Sequence, residues 1–172
     1  MDGDGQIDSV RISRGKQKQR CLVVSGRRTL TKALPYRQGG PEPRLNGLGA
    51  IDREPGLEMV VTLDQGASTA FASVFSIRDG DVVLLRRPDS AGHEFAYEGG
   101  VTHFDGVDCK GPGKVVATSW TRQALERKSY RVAGRTFVPT LSLSVRGGGN
   151  PFRRREFQGP QPFPHCLAVR SR

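Results

Sequence analysis

Residues 57–87, LEMVVTLDQGASTAFASVFSIRDGDVVLLRR, decide the fold of this 172-residue chain. Apolar residues occupy alternate positions in their first part, the period-two pattern of a strand with one buried face: Leu57, Met59, Val61 and Leu63. Phe71, Phe75 and Ile77 repeat this spacing a few residues later. The stretch therefore predicts two strands that bury apolar side chains in a common core.

A tight turn follows the second of these strands. Asp79 and Gly80 are residue types that tolerate positive φ, which both central positions of a type I′ hairpin turn require. Residues 82–85, VVLL, then run back as a strand that is apolar on both faces. The centre of the fold is thus predicted to be an antiparallel sheet.

Short strands are predicted through the rest of the chain, because the whole sequence contains 22 glycines and 11 prolines and so favours many turns. The further candidates are 21–25, 95–97, 101–104, 115–118, 130–132 and 137–145. In the last of them, one face is expected to carry the apolar residues Phe137, Leu141, Leu143 and Val145. Leu143 is accordingly predicted to lie in the core with Val61, Phe75 and Leu84.

One short helix is predicted over residues 121–128, because Thr121 can cap its first turn and Arg127 and Lys128 suit its last turn. The predicted fold class is mostly β. An antiparallel small barrel or a jelly-roll-like sandwich is the expected closure, since both arrangements hide strand edges.

The basic charge is concentrated at the two ends of the chain. Within a net charge of +10, the first 41 residues carry +6, the next 67 carry −7 and the last 64 carry +11. Three regions are expected: a flexible N-terminal arm over 1–19, a β domain over 20–145 and a Gly/Pro/Arg-rich tail over 146–172. Basic flanks of this kind usually meet a polyanion, although they also keep a small β protein dispersed in water.

The candidate phosphate contacts lie in these flanks: Arg14, Lys16, Lys18, Arg20, Arg27, Arg28, Arg153, Arg154 and Arg155. Arginine binds phosphate through a bidentate fork, and Phe152 and Phe157 could stack on exposed bases beside the arginine run. Flexible arms would hold the backbone of RNA or DNA rather than read its sequence.

The three cysteines, Cys21, Cys109 and Cys166, are odd in number and widely spaced, which makes a disulfide framework improbable and a reducing intracellular setting the expectation. No apolar run reaches the roughly 18 residues that span a bilayer, and the polar start MDGDGQID is unlike a signal peptide. No metal-ligand spacing occurs, so neither a metal nor another cofactor is predicted.

One segment has the form of a catalytic motif. In residues 60–69, VVTLDQGAST, an apolar strand leads into Asp64, Gly66 and Ala67 before a second strand. This segment resembles the retropepsin-like aspartic peptidases of retroviruses and retrotransposons, which have Asp-Ser/Thr-Gly-Ala here; Gln65 departs from that pattern. The resemblance implies catalysis by Asp64 in a homodimer, where two carboxylates share a proton. The alternative is an ordinary turn between two strands.

The function that these features favour is a non-enzymatic, nucleic-acid-associated protein with a compact β domain and basic arms. Viral coat proteins and RNA-binding accessory proteins share this layout, which is an architectural analogy. An atypical peptidase that uses Asp64 is the first alternative, and a protein–protein interaction module is the second. The expected partner is RNA or DNA without a membrane, and a homo-oligomer remains open.

Overall fold

A computed structural model describes residues 8–16, 19–35, 40–99, 103–146 and 161–170. Across these residues the chain forms thirteen β-strands and no α-helix. The strands are β1 (Ser9–Arg14), β2 (Arg20–Ser25), β3 (Thr29–Ala33), β4 (Arg44–Gly49), β5 (Glu58–Gln65), β6 (Ala70–Arg78), β7 (Asp81–Leu84), β8 (Phe95–Gly99), β9 (His103–Cys109), β10 (Lys114–Thr121), β11 (Ala124–Ala133), β12 (Thr136–Arg146) and β13 (Leu167–Arg170).

The strands form two antiparallel sheets. One contains β1, β2 and β3 in that order. The other contains ten strands in the order β12-β11-β10-β9-β8-β6-β5-β4-β13, with β7 also paired to β6. Its two ends, β12 and β13, do not pair with each other in the described residues, so the sheet is not closed into a barrel. The predicted mostly-β fold is confirmed, and its sandwich-like form fits the layers described next.

The deciding stretch forms β5, β6 and β7, and its predicted turn is confirmed. Asp79 and Gly80 have φ angles of 53° and 79°, and Arg78 pairs with Asp81 across the turn. Both faces of β5 are buried, so this strand lies in a middle layer. Glu58, one of the polar residues of β5, is therefore buried as well and accepts the backbone N–H of Ile51 at 2.8 Å.

Two apolar clusters lie on the two faces of this middle layer. On one face, the three-stranded sheet packs through Leu22 and Val24 onto Met59, Val61 and Phe75. On the other face, the second half of the large sheet folds over the first half, with a cluster that includes Val60, Val74, Phe95, Val115, Tyr130, Phe137 and Phe163. The predicted burial of Val61 and Phe75 is confirmed.

The predicted helix at 121–128 is wrong. β10 continues to Thr121, a two-residue turn follows, and β11 begins at Ala124. The Thr121 hydroxyl does cap a turn, because it accepts the backbone N–H of Gln123 at 3.3 Å and that of Ala124 at 3.2 Å. The segment that follows pairs with β10 and β12 on both sides, and this pairing overrides the weak local helix signal.

The prediction that Leu143 shares a buried face with Phe137 is also wrong. β12 has a bulge at this point, since Tyr130 pairs with Pro139 whereas the preceding Ser129 pairs with Leu141. The extra residue reverses the alternation of side chains beyond it. Phe137 is therefore fully buried, while Leu143 is 49% exposed.

The ends of the chain are more ordered than predicted. Ser9–Arg14 of the expected flexible arm forms β1, which pairs with β2. In the expected tail, Phe163 is buried against Phe95 and β13 pairs with β4. Of these two regions, residues 1–7, 17–18, 147–160 and 171–172 lie outside the described part of the chain.

Cys109 and Cys166 form a disulfide, contrary to the expectation from cysteine number and spacing. The residues before them also meet, because Asp108 accepts hydrogen bonds from the backbone N–H of His165 at 3.0 Å and from its ring. The disulfide removes the cysteine-based reason for expecting a reducing compartment. Separately, nothing in the described residues forms a helix with the length and apolarity needed to cross a membrane.

Candidate polyanion-binding face

The turn between β9 and β10 supports the first two cations of the site. Lys110 and Lys114 flank Gly111, Pro112 and Gly113, and the two glycines have φ angles of +115° and +73°, which suit glycine. The Lys110 backbone N–H donates to the Lys114 carbonyl at 2.9 Å. Two lysines are thereby held at the base of one rigid turn.

This turn is anchored on both sides by backbone hydrogen bonds. The Gly113 N–H donates to the Ile51 carbonyl at 2.8 Å, and the Val132 N–H donates to the Gly113 carbonyl at 3.1 Å. Three elements that are distant in sequence, the 50–57 loop, the β9–β10 turn and β11, are therefore fixed against one another.

Two arginines complete the group. Arg131 of β11 lies directly opposite Lys114 of β10 in the antiparallel register, so the two side chains share one face. Arg53 comes from the 50–57 loop, where its side chain packs over Gly113 and its Nε donates to the Pro112 carbonyl at 3.5 Å. Arg53, Lys110, Lys114 and Arg131 are all exposed, and together they are called the basic face.

The basic face surrounds a cavity of about 450 Å³. Its floor is apolar, with Val115, Val116 and Val132, and Ser129 and Thr140 add hydroxyl groups. No carboxylate is among the described residues that line it. Like charges directly opposite each other destabilise a sheet, so an anion between Lys114 and Arg131 would relieve their repulsion.

Beneath the basic face, Asp89 lies in a separate ionic cluster with Arg87 and Tyr130. The Tyr130 hydroxyl donates to Asp89 at 2.8 Å, Arg87 donates to it at 3.0 Å, and the Arg87 guanidinium lies 5.3 Å from the centre of the Tyr130 ring. Burial favours a higher pKa for Asp89, but hydrogen bonds from Arg87, Tyr130 and Lys128 outweigh it and lower that pKa to about 2. The charge of Asp89 is thus balanced within this cluster by Arg87 and Lys128.

The cations predicted near the N-terminus are dispersed by the structure. Arg14 lies at one end of the three-stranded sheet, and Arg27 and Arg28 lie in the β2–β3 turn at the other end. A six-residue strand separates these two ends by about 17 Å. Lys16 follows β1 and is exposed, close to the Arg14 end.

Arg20 is not a free phosphate contact. It is buried and forms a bidentate ion pair with Glu42, which holds the pKa of Glu42 below its usual value. Lys18, Phe152, Phe157 and the run Arg153–Arg154–Arg155 lie outside the described residues, so their predicted roles stay predictions.

Asp64 lies at the end of β5, exposed, next to the turn that joins β5 to β6. Its carboxylate accepts the backbone N–H of Gln65 at 2.8 Å, and the Gly66 N–H closes the turn on the Thr69 carbonyl at 2.7 Å. Glu94 is a neighbouring carboxyl, whose pKa is raised by burial and then by the charge of Asp64. The local geometry is that of an ordinary strand–turn–strand connection.

None of the four residues of the basic face was among the sequence-predicted contacts. Arg131 and Lys114 are 17 positions apart, and only the strand register brings them together. The sequence did contain one indication of this face. The last 64 residues carry a net charge of +11, and about half of that charge lies before the predicted tail. Among the described residues, no group of three potential metal ligands comes together.

Comparisons with known proteins add no further information about this site. The sequence matches no family model, and neither a curated protein nor a solved structure matches the chain.

Proposed function

We propose that this chain is a non-enzymatic, nucleic-acid-associated protein that binds the phosphate backbone of RNA or DNA through the basic face. The observation that carries the proposal is the carboxylate-free cavity bordered by Arg53, Lys110, Lys114 and Arg131. A nucleic acid presents several phosphates at regular spacing, so it could contact all four clustered cations at once. Backbone contacts of this kind position a nucleic acid without reading its bases.

The rigidity of the face supports a specific site over a diffuse positive surface. Lys110 and Lys114 are held by the same turn, and Gly113 ties that turn to β11 through Val132. Cations that are fixed in advance lose less conformational entropy when a ligand binds. The apolar floor at Val115 and Val116 can in addition contact a sugar or a base that lies over the cavity.

The test is a filter-binding titration of single-stranded and duplex oligonucleotides at several salt concentrations. The four cations of the basic face should contribute about −3 to the slope of the logarithm of single-strand affinity against the logarithm of salt, and any phosphate contacts elsewhere in the chain would steepen it. Replacing Lys114 and Arg131 together by Ala should flatten that slope by about 1.4, because each lost contact removes about 0.7.

The control is the double variant Lys32→Ala with Arg122→Ala, which removes the same charge from exposed positions elsewhere. Its slope should stay within about 0.5 of the original slope. If the two double variants weaken binding equally, net charge rather than the basic face determines the affinity, and the proposed site is wrong. Binding that does not respond to salt would exclude phosphate contacts altogether.

A further inference from the structure

β12 is the last strand of the large sheet, and one of its edges is open. In the described part of the chain it pairs with β11 on one side only. On the other side, Thr136 forms an isolated bridge with Arg86, and no described strand accompanies residues 138–146. Among the described residues no strand occupies the backbone groups along that edge, and an edge of this kind can accept another strand.

The same segment carries an exposed apolar stripe. The exposed fractions of Leu141, Leu143 and Val145 are 52%, 49% and 55%. Among the described residues, these three are the large apolar side chains that are exposed to solvent. They share one face, because the bulge near Pro139 turns all three away from the core that holds Phe137. An open edge with an apolar face is the usual template for strand addition.

The edge lacks the features by which proteins normally block such pairing. Residues 140–145, TLSLSV, contain no charge and no proline, whereas protected edges carry lysine, inward charges or proline. Pro139 and Arg146 stand only at the two ends of this segment. The segment that could pair with another strand therefore runs from residue 140 to residue 145.

We infer that two copies of this chain pair through β12, antiparallel, about a two-fold axis at Leu143. In this register Leu143 faces itself, Leu141 faces Val145 of the second copy, and Ser142 faces Ser144 of the second copy. Within residues 141–145 every apolar residue meets an apolar one and every serine meets a serine, which favours cross-strand contacts. Arg146 meets Thr140, so no like charges face each other.

The competing register supports this choice. Centring the axis on Ser142 would pair Pro139 with Val145 inside the ladder, where proline lacks the N–H that the ladder needs. The Leu143 register moves Pro139 to the end of the paired segment. Leu141 would face Leu143 in the Ser142 register too, so the position of Pro139 is what favours the Leu143 register for an isologous dimer interface.

Such a dimer would present two basic faces on one surface. Residues directly opposite in an antiparallel pair lie on the same side of the sheet, and Arg131 lies on the same side of β11 as Leu143 does on β12. From strand spacing and rise, the two Arg131 residues would be about 35 Å apart. The dimer itself does not depend on what the basic face binds.

The first experiment measures the mass of the full chain in solution by sedimentation velocity at about 1–50 µM. We expect a dimer, and we expect Leu143→Lys to shift it to monomer by at least tenfold in dissociation constant. Gln123→Lys, which adds the same charge in the exposed β10–β11 turn, should remain dimeric. A monomeric wild-type chain, or a dimer that Leu143→Lys leaves intact, would overturn the inference.

The second experiment fixes the register even if Leu143→Lys folds poorly. Leu143→Cys should form an intermolecular disulfide under mild oxidation, because the axis brings the two side chains together. Leu141→Cys should cross-link at least fivefold less, since four residues of offset separate the two copies of that position. A mixture of Leu141→Cys and Val145→Cys should restore cross-linking. Equal cross-linking by the two single variants would exclude the two-fold axis at Leu143.

Discussion

The Tyr130 hydroxyl donates a 2.8 Å hydrogen bond to the Asp89 carboxylate and so ties the β7–β8 loop to β11. The tie lies behind the basic face, because Tyr130 also borders the cavity of that face. Burial and then the hydrogen bond to Asp89 raise the pKa of Tyr130 to about 12, while the pKa of Asp89 is lowered to about 2. The hydrogen bond therefore joins two groups whose pKa values are shifted in opposite directions, and it adds to the strand pairing that holds β11.

Stability should therefore fall at acid pH through Asp89. Its folded pKa lies below the value of about 3.9 in an unfolded chain, so its contribution is present above pH 4 and is lost as the pH falls towards 2. At pH 7, Asp89→Asn should lower the free energy of unfolding by about 1.5–3 kcal/mol, the usual worth of a charged hydrogen bond. Urea melts between pH 2 and 7 should show this difference disappearing at the acid end. Asp81→Asn, at the exposed start of β7, is the control, and a difference that does not change with pH would contradict the prediction.

Lys114→Glu should raise the stability of the fold and weaken the binding of nucleic acid. It converts the like-charge pair with Arg131 into an opposite-charge pair, which should raise the free energy of unfolding by about 0.2–1 kcal/mol. The same change should weaken binding to an oligonucleotide by roughly fivefold or more at 0.1 M salt, because a phosphate contact is lost and a repulsion is added. Denaturant melts and salt titrations of Lys114→Glu and Lys114→Gln measure both effects. Destabilisation by Lys114→Glu relative to Lys114→Gln would show that the pair is not repulsive.

The parts of the fold that could be predicted depend on local chemistry. Asp79-Gly80 must adopt positive φ in a tight hairpin, and alternation around Met59 and Phe75 needs no knowledge of distant residues. The burial of the second face of β5 could not be predicted in this way, because Glu58 is a charged residue type that is buried here by contacts with the 50–57 loop and with Ser76 of β6. Local patterns thus determined the middle layer but not what covers it.

The errors have a different physical origin. Thr121 can cap either a helix or a turn. The segment after it becomes a strand because β11 pairs with β10 on one side and with β12 on the other. Pro139 is typical of an edge or a bulge, and β12 has both, but the proline does not reveal that one extra residue there reverses the direction of Leu143. The basic face likewise depends on register, since Lys114 and Arg131 become neighbours only when β10 and β11 pair.

The Cys109–Cys166 disulfide should contribute substantially to stability. It closes a loop of 57 residues, for which chain entropy predicts about 4 kcal/mol. The double variant Cys109→Ser with Cys166→Ser should therefore unfold at a clearly lower denaturant concentration. Dithiothreitol should lower the midpoint of the wild-type chain by a similar amount and should leave the double variant unchanged. An equal effect of dithiothreitol on both proteins would show that the change does not come from reduction of the Cys109–Cys166 disulfide.

Asp64 gives a direct test of the peptidase alternative. If two copies of Asp64 shared a proton, cleavage of a peptide library would peak in acid and would disappear in Asp64→Asn. We expect no acid-dependent cleavage by either protein, because Asp64 ends a strand and caps an ordinary turn. Gln65→Thr, which restores the hydroxyl of the resembling motif, should also be inactive. Cleavage by the wild type that Asp64→Asn abolishes would reverse the choice between the two functions.

The arginine run at 153–155 can be compared with the basic face in one experiment. Replacing Arg153, Arg154 and Arg155 together by Ala should flatten the single-strand salt slope by about 2 if all three contact phosphate. The four cations of the basic face form a site of their own, so we expect this variant to retain a slope of about −3 from that face. Adding Lys114→Ala and Arg131→Ala should then remove a further 1.4 from the slope. The measurement is filter binding at four or more salt concentrations, with Lys32→Ala and Arg122→Ala in the same background as the control. A triple variant whose binding no longer depends on salt would place every phosphate contact in the tail and none on the basic face.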